Sequence, residues 1–137
     1  MIVADTGAII ALIDADDRHH PPLRDLFAND PHEWVVPWAV LPEVDYLLAT
    51  HVGSAAQDAF MADVASGAFG VEWGEPSDLA EAHEITLRYA DLRIGLVDAV
   101  VVATAQRLRA HAIATLDLRH FGVLQIDGSP RLYPRDL

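Results

Sequence analysis

The sequence predicts an α/β domain in three layers, α/β/α, built on a central parallel sheet of four to five strands. Short apolar, β-prone runs alternate with segments of helical length from the first residues onward, the pattern of βαβ units whose helices cover both faces of a parallel sheet. The length, 137 residues, suits one core and is too short for two, so residues 1–137 read as a single domain. Apolar residues make up 52% of the chain against 22% charged, which is ample for a packed core.

Taken in order, residues 2–4 are a short buried strand, and residues 6–13 continue as an apolar helix that starts directly after Asp5. A polar turn over 14–22 leads to a short helix over 23–28. Residues 34–36 are a second strand, and 38–50 a helix in which Pro42 is tolerable only within the first turn. Residues 54–65 form a helix capped by Ser54 after Gly53, and 69–73 a third strand. Leu79, Ala82, Ile85, Tyr89 and Leu92 draw a helical stripe through 77–92, with Ser77 or Asp78 as its cap. A nearly apolar helix over 96–109 precedes a fourth strand at 112–116. A short fifth strand at 124–126 completes the sheet, and the tail is expected to be irregular.

Charge and composition remove several chemistries. Nine basic residues face 21 acidic ones, for a net charge of −12, and all nine are arginine. Without lysine there is no P-loop clamp, no Schiff base and no lysine for a phospho-acceptor pocket. A chain this acidic repels phosphate at long range, so a nucleic acid would have to be held by local arginines or by metal ions. The absence of cysteine excludes disulfides and thiolate chemistry and fits a reducing cytosol. No apolar run approaches the ~18 residues of a membrane span, so a cytoplasmic protein without membrane contact is expected.

In a parallel sheet, reactive groups gather at the carboxyl ends of the strands. Asp5 stands where the first strand ends, and Asp117 where the fourth ends, with Thr115 on the same side of that strand. Asp5 also suits a plain helix N-cap. Asp98 lies in GLVDAVVVATA, among residues that must be buried, where an ionised carboxylate costs several kcal/mol unless a cation or donors offset it. A dipole-favoured acid in the first turn is the bland alternative there, and for Glu43 beside Pro42 as well. Together, four carboxylates in one crevice repel one another by about 4 kcal/mol per pair at 4 Å, so the group is untenable unless cations or protons neutralise it. With oxygen ligands only, that cation is hard, Mg²⁺ or Mn²⁺, and phosphodiester hydrolysis is the reaction such ions serve best.

These segments resemble a known family. Asp5 in VADTGAIIALID, Glu43 in VVPWAVLPEVDYLL, Asp98 in LRIGLVDAVVVATAQRL and Asp117 in AIATLDLRHF look like the PIN domain, in the form of VapC-type toxins of bacterial toxin-antitoxin systems. The resemblance runs along nearly the whole chain. It implies a PIN-like fold and a metal-dependent endoribonuclease, usually a homodimer, inhibited by a cognate VapB-type antitoxin whose arginine-bearing tail enters the acidic pocket. By the same resemblance Asp5, Glu43, Asp98 and Asp117 are the catalytic, metal-holding quartet, and Thr6 and Thr115 the hydroxyl residues beside it. Gly7 departs from the polar residue that many members carry, which is expected to alter packing or the hydrogen bonds around the site, not the class.

Arg93, Arg119 and His120 are candidate phosphate contacts; either arginine equally suits an ion pair with a neighbouring carboxylate. The Asp14, Asp16, Asp17, His19, His20 run reads as a solvated loop, and Trp34, Trp38 and Trp73 as core or subunit-interface residues. Two rival readings stand beside the nuclease: a catalytically inactive PIN-like binding module, and a phospho-acceptor signalling domain, which the missing lysine opposes.

Overall fold

A computed structural model describes residues 1–137. Five short parallel strands form one sheet: β1 (Ile2–Ala4), β2 (Trp34–Pro37), β3 (Gly70–Glu72), β4 (Ala112–Ala114) and β5 (Arg131–Tyr133), in the order β3-β2-β1-β4-β5. Val3 lies in register with Val35 on one side and Ile113 on the other. Both β1 and β4 are fully buried, as expected of strands covered on two faces. The helices flanking the sheet are α1 (Thr6–Ile13), α2 (His20–Asn29), α3 (Leu41–Leu47), α4 (Ser54–Ser66), α5 (Pro76–Arg88), α6 (Leu96–Arg107) and α7 (Leu118–Phe121). This is the three-layer arrangement the alternation predicts.

Four local expectations are corrected. Helix α2 begins at His20, not Leu23, because Pro21 and Pro22 fall in its first turn, where their missing N–H groups are not needed, and the His20 ring bonds the Ala11 carbonyl at 2.9 Å. The segment after β2 is a 3₁₀ turn (Trp38–Val40), then α3 with Pro42 in its first turn, then a π turn (Leu48–Val52). Gly53, not Ser54, is the N-cap of α4, at a φ of 140° that favours glycine. In α5 the cap is Glu75, whose N–H donates to the Asp78 carboxylate at 3.0 Å.

The fifth strand is β5 (Arg131–Tyr133), whereas residues 124–126 form none. Leu132 and Tyr133 are buried against β4, and the Thr115 N–H donates to the Tyr133 carbonyl at 2.9 Å. The short helix α7 was not anticipated. Trp34 is in the core, 2% exposed, but Trp73 is 72% exposed and fills no core of this chain.

The core is one cluster of 32 residues, to which α6 contributes most continuously: every residue from Ala99 to Ala105 is buried. The far end of α6 is tied down by Arg107, whose Nε and Nη2 donate to the two Asp78 oxygens at 2.8 and 3.0 Å, with Nη2 also donating to Glu72 at 2.7 Å. Burial works to raise the Asp78 carboxyl, and the Arg107 fork with the Glu75 N–H overrides it, holding it below the ordinary range. Arg107→Ala leaves Asp78 buried without its cation, and is expected to lower stability by about 2 kcal/mol, read as a shift of the urea midpoint.

Candidate metal centre

Because all strands run one way, their carboxyl ends share one edge, and β1 and β4 are neighbours there. The Asp5 N–H donates to the Ala114 carbonyl at 2.8 Å, locking the two strand exits together. Asp5 is 5% exposed. Its Oδ1 accepts from the Thr6 N–H at 2.8 Å and its Oδ2 from the Thr115 hydroxyl at 2.9 Å. Thr115 Oγ1 in turn accepts from the Asp117 N–H at 3.0 Å, so one hydroxyl spaces two carboxylates. Asp5 is therefore both the N-cap of α1 and a member of the acidic group.

Burial pushes the Asp5 carboxyl up to about 6, against the pull of the Thr115 and Thr6 hydrogen bonds, and the charges of Asp98 and Glu43 push the same way. Asp98, in the first turn of α6, is half-buried. Burial raises it too; a hydrogen bond from His120 opposes, while the Asp117 and Glu43 charges add. Glu43, in the first turn of α3, is exposed and acts on Asp5 and Asp98 through its charge. Asp117 caps α7, its Oδ1 accepting from the His120 N–H at 3.1 Å.

The structure thus brings Asp5, Asp98 and Asp117 together at the strand ends, with Glu43 in electrostatic reach. It also brings in His120, a candidate phosphate contact by sequence, as a neighbour of two of these carboxylates. The ring Nδ1 lies 3.1 Å from Asp98 Oδ2 and 3.0 Å from Asp117 Oδ2. Asp98, Asp117 and His120 place one ligand atom each within 4.8 Å of one another. The signal in the sequence was the i, i+3 spacing from Asp117 across one helical turn.

Arg93 and Arg119 are both exposed, and the ion pairs made by arginine involve Arg24, Arg107 and Arg135 instead. Neither candidate is drawn into a carboxylate. Beside Asp5, the Thr6 hydroxyl is buried without a hydrogen-bond partner. A Cβ at Gly7 would meet Leu116 at 3.7 Å, ordinary contact, so glycine is not forced there. The donor set, carboxylate oxygens and one imidazole around an uncompensated buried charge, fits a divalent cation.

A parallel five-stranded sheet with acidic residues at the exits of adjacent central strands defines a class, and the sequence profile of the PIN domain matches residues 2–124. The chain belongs to the PIN domain family. Within it, the chain is 35% identical over 130 residues to Ribonuclease VapC26 of Mycobacterium tuberculosis, covering 95% of this chain and 96% of that protein. Its fold matches the crystal structure of M. tuberculosis VapC20, described as a sarcin-ricin loop cleaving toxin, with a TM-score of 0.80 at 24% identity over 93% of this chain and 98% of that one. A chain of the DNA-bound VapBC complex from Salmonella typhimurium matches with a TM-score of 0.71 at 20% identity, over 96% and 97% of the two chains. No helix is long and apolar enough to cross a membrane.

Proposed function

We propose that this chain, folded as a single PIN domain, is the RNA-cleaving toxin of a toxin-antitoxin pair: a Mg²⁺- or Mn²⁺-dependent endoribonuclease of the cytoplasm. The observation that carries the reading is the gathering of Asp5, Asp98 and Asp117 at one edge of the sheet, with Asp5 buried and no cation of the protein's own beside it. Relatedness to Ribonuclease VapC26 supports the ribonuclease, and the structural likeness to a chain of a VapBC complex is consistent with an antitoxin partner.

Asp5, Glu43, Asp98 and Asp117 would hold the ion or ions. A divalent ion held by these residues would supply activation of a water for attack on phosphorus and stabilisation of the charge on the leaving oxygen. Thr115 spaces Asp5 from Asp117 through its two hydrogen bonds, and the buried Thr6 hydroxyl is the unused donor nearest Asp5 in the chain. Arg93 and Arg119, exposed and free of ion pairs, supply positive charge for the RNA backbone. The same acidic crevice suits the arginine-bearing tail of a VapB-type antitoxin. The working unit is taken to be a homodimer.

Two measurements test this. Millimolar Mg²⁺ or Mn²⁺ is expected to raise the melting temperature by about 5 °C, since an ion that binds only the folded crevice stabilises by mass action, and EDTA is expected to abolish RNA cleavage. Arg119→Ala is expected to raise KM for RNA with little change in the metal response. An absence of metal stabilisation together with undiminished cleavage in EDTA would overturn the reading.

A further inference from the structure

We propose that His120 is itself a ligand, so that Asp98, Asp117 and His120 form a nitrogen-bearing position that takes Mn²⁺ or Zn²⁺ in preference to Mg²⁺. This rests on the metal-centre reading above and specifies which ion the crevice selects. Nδ1 of His120 stands 3.1 Å from one Asp98 oxygen and 3.0 Å from one Asp117 oxygen. Two ligands at right angles, each about 2.1 Å from one ion, lie about 3.0 Å apart. Nδ1 already holds that spacing from both oxygens, and the three ligand atoms lie within 4.8 Å of one another.

The backbone fixes that spacing. Asp117 caps the helix turn that carries His120, and the His120 N–H is bonded to the Asp117 carboxylate, so the two cannot drift apart without unwinding α7. Asp98 is fixed from the other side by the buried body of α6. As a donor, Nδ1–H bonds Asp98 Oδ2 at 3.1 Å. To ligate an ion through Nδ1, the ring would carry its proton on Nε2. The Thr6 hydroxyl, 96% buried and following Asp5 in the chain, has no hydrogen-bond partner in the protein.

Ligand chemistry then sets the preference. Mg²⁺ seeks oxygen and keeps its waters, whereas imidazole nitrogen favours the later divalent ions, with Zn²⁺ above Mn²⁺. Without His120 the crevice is an all-oxygen site with little reason to discriminate.

The test is calorimetric titration of the purified chain with MgCl₂, MnCl₂ and ZnCl₂, on wild type, His120→Ala and His120→Asn. Metal-free melting curves of all three check that the fold persists. Wild type is expected to bind Zn²⁺ and Mn²⁺ more tightly than Mg²⁺. Both variants are expected to weaken Zn²⁺ by about 10- to 100-fold while Mg²⁺ changes by less than about threefold. In ¹⁵N spectra, Zn²⁺ is expected to shift Nδ1 of His120 ahead of the ring nitrogens of the other six histidines. Equal losses for all three ions, or no loss, would overturn the ligand role and leave the carboxylate centre standing. No binding of any ion to wild type would overturn both.

Discussion

Asp98→Asn is expected to reduce RNA hydrolysis by about 10³-fold or more while the metal-free protein melts at a higher temperature than wild type. Asparagine is nearly isosteric and accepts a hydrogen bond as the carboxylate does, so the fold has no reason to fail. What changes is charge. Asp98 is raised by its burial and by the neighbouring Asp117 and Glu43, and removing its charge relieves that repulsion. The same substitution removes an anionic oxygen from the position that an ion would occupy, so stabilisation by Mg²⁺ is expected to shrink as the metal-free melting point rises. If Asp98 served only the dipole of α6, all three quantities would move by no more than a few tenths of a kcal/mol. Melting curves with EDTA and with Mg²⁺, beside one cleavage assay, separate the two cases. A variant that cleaves RNA at the wild-type rate would remove Asp98 from the chemistry.

The second large effect is on pH dependence. The Asp5 carboxyl titrates near 6 in the folded protein against an ordinary 3.8. Between those values the folded chain keeps a proton that the unfolded chain has released, so stability falls as pH rises through the window and levels off above it. The full difference is about 3 kcal/mol. Asp98, raised in the same direction, adds to the decline. In EDTA the protein is thus expected to be more stable at pH 4.5 than at pH 7, the reverse of the usual behaviour of paired carboxylates. Saturating Mg²⁺ should flatten the slope, because the ion stabilises the ionised form. Asp5→Asn should flatten it without metal. Urea midpoints at a series of pH values measure all three, and a rising or level profile for metal-free wild type would refute the uncompensated charge.

Much of the site was legible because it lies where topology alone puts it. Asp5 and Asp117 follow short apolar runs directly, and parallel strands bring such exits to one edge whatever the details between them. Asp98 stood out because its neighbours from Ala99 onward have no polar face to offer. His120 was visible only by half: its tie to Asp117 is one helical turn, but its approach to Asp98 spans 22 residues and comes from the packing of α7 against the start of α6. The fifth strand was misplaced for a similar reason. LQI at 124–126 and RLY at 131–133 are equally plausible locally, and pairing with β4 decides between them. Helix α2 was shortened because two successive prolines look like a break, yet both sit where a helix needs no donors.

The seven consecutive buried residues of α6 bear on how such a protein changes over generations. A helix with no free face is held by close packing on every side, and almost any change of side-chain volume along it moves its first turn. Asp98 sits on that turn. Changes of side-chain volume between Ala99 and Ala105 are thus expected to disturb the placement of Asp98 as well as the stability of the core. On the proposed reading, selection for a new RNA target would be left with the exposed rim, Arg93, Arg119 and the loops around them, while the helix behind the acidic edge stays nearly fixed.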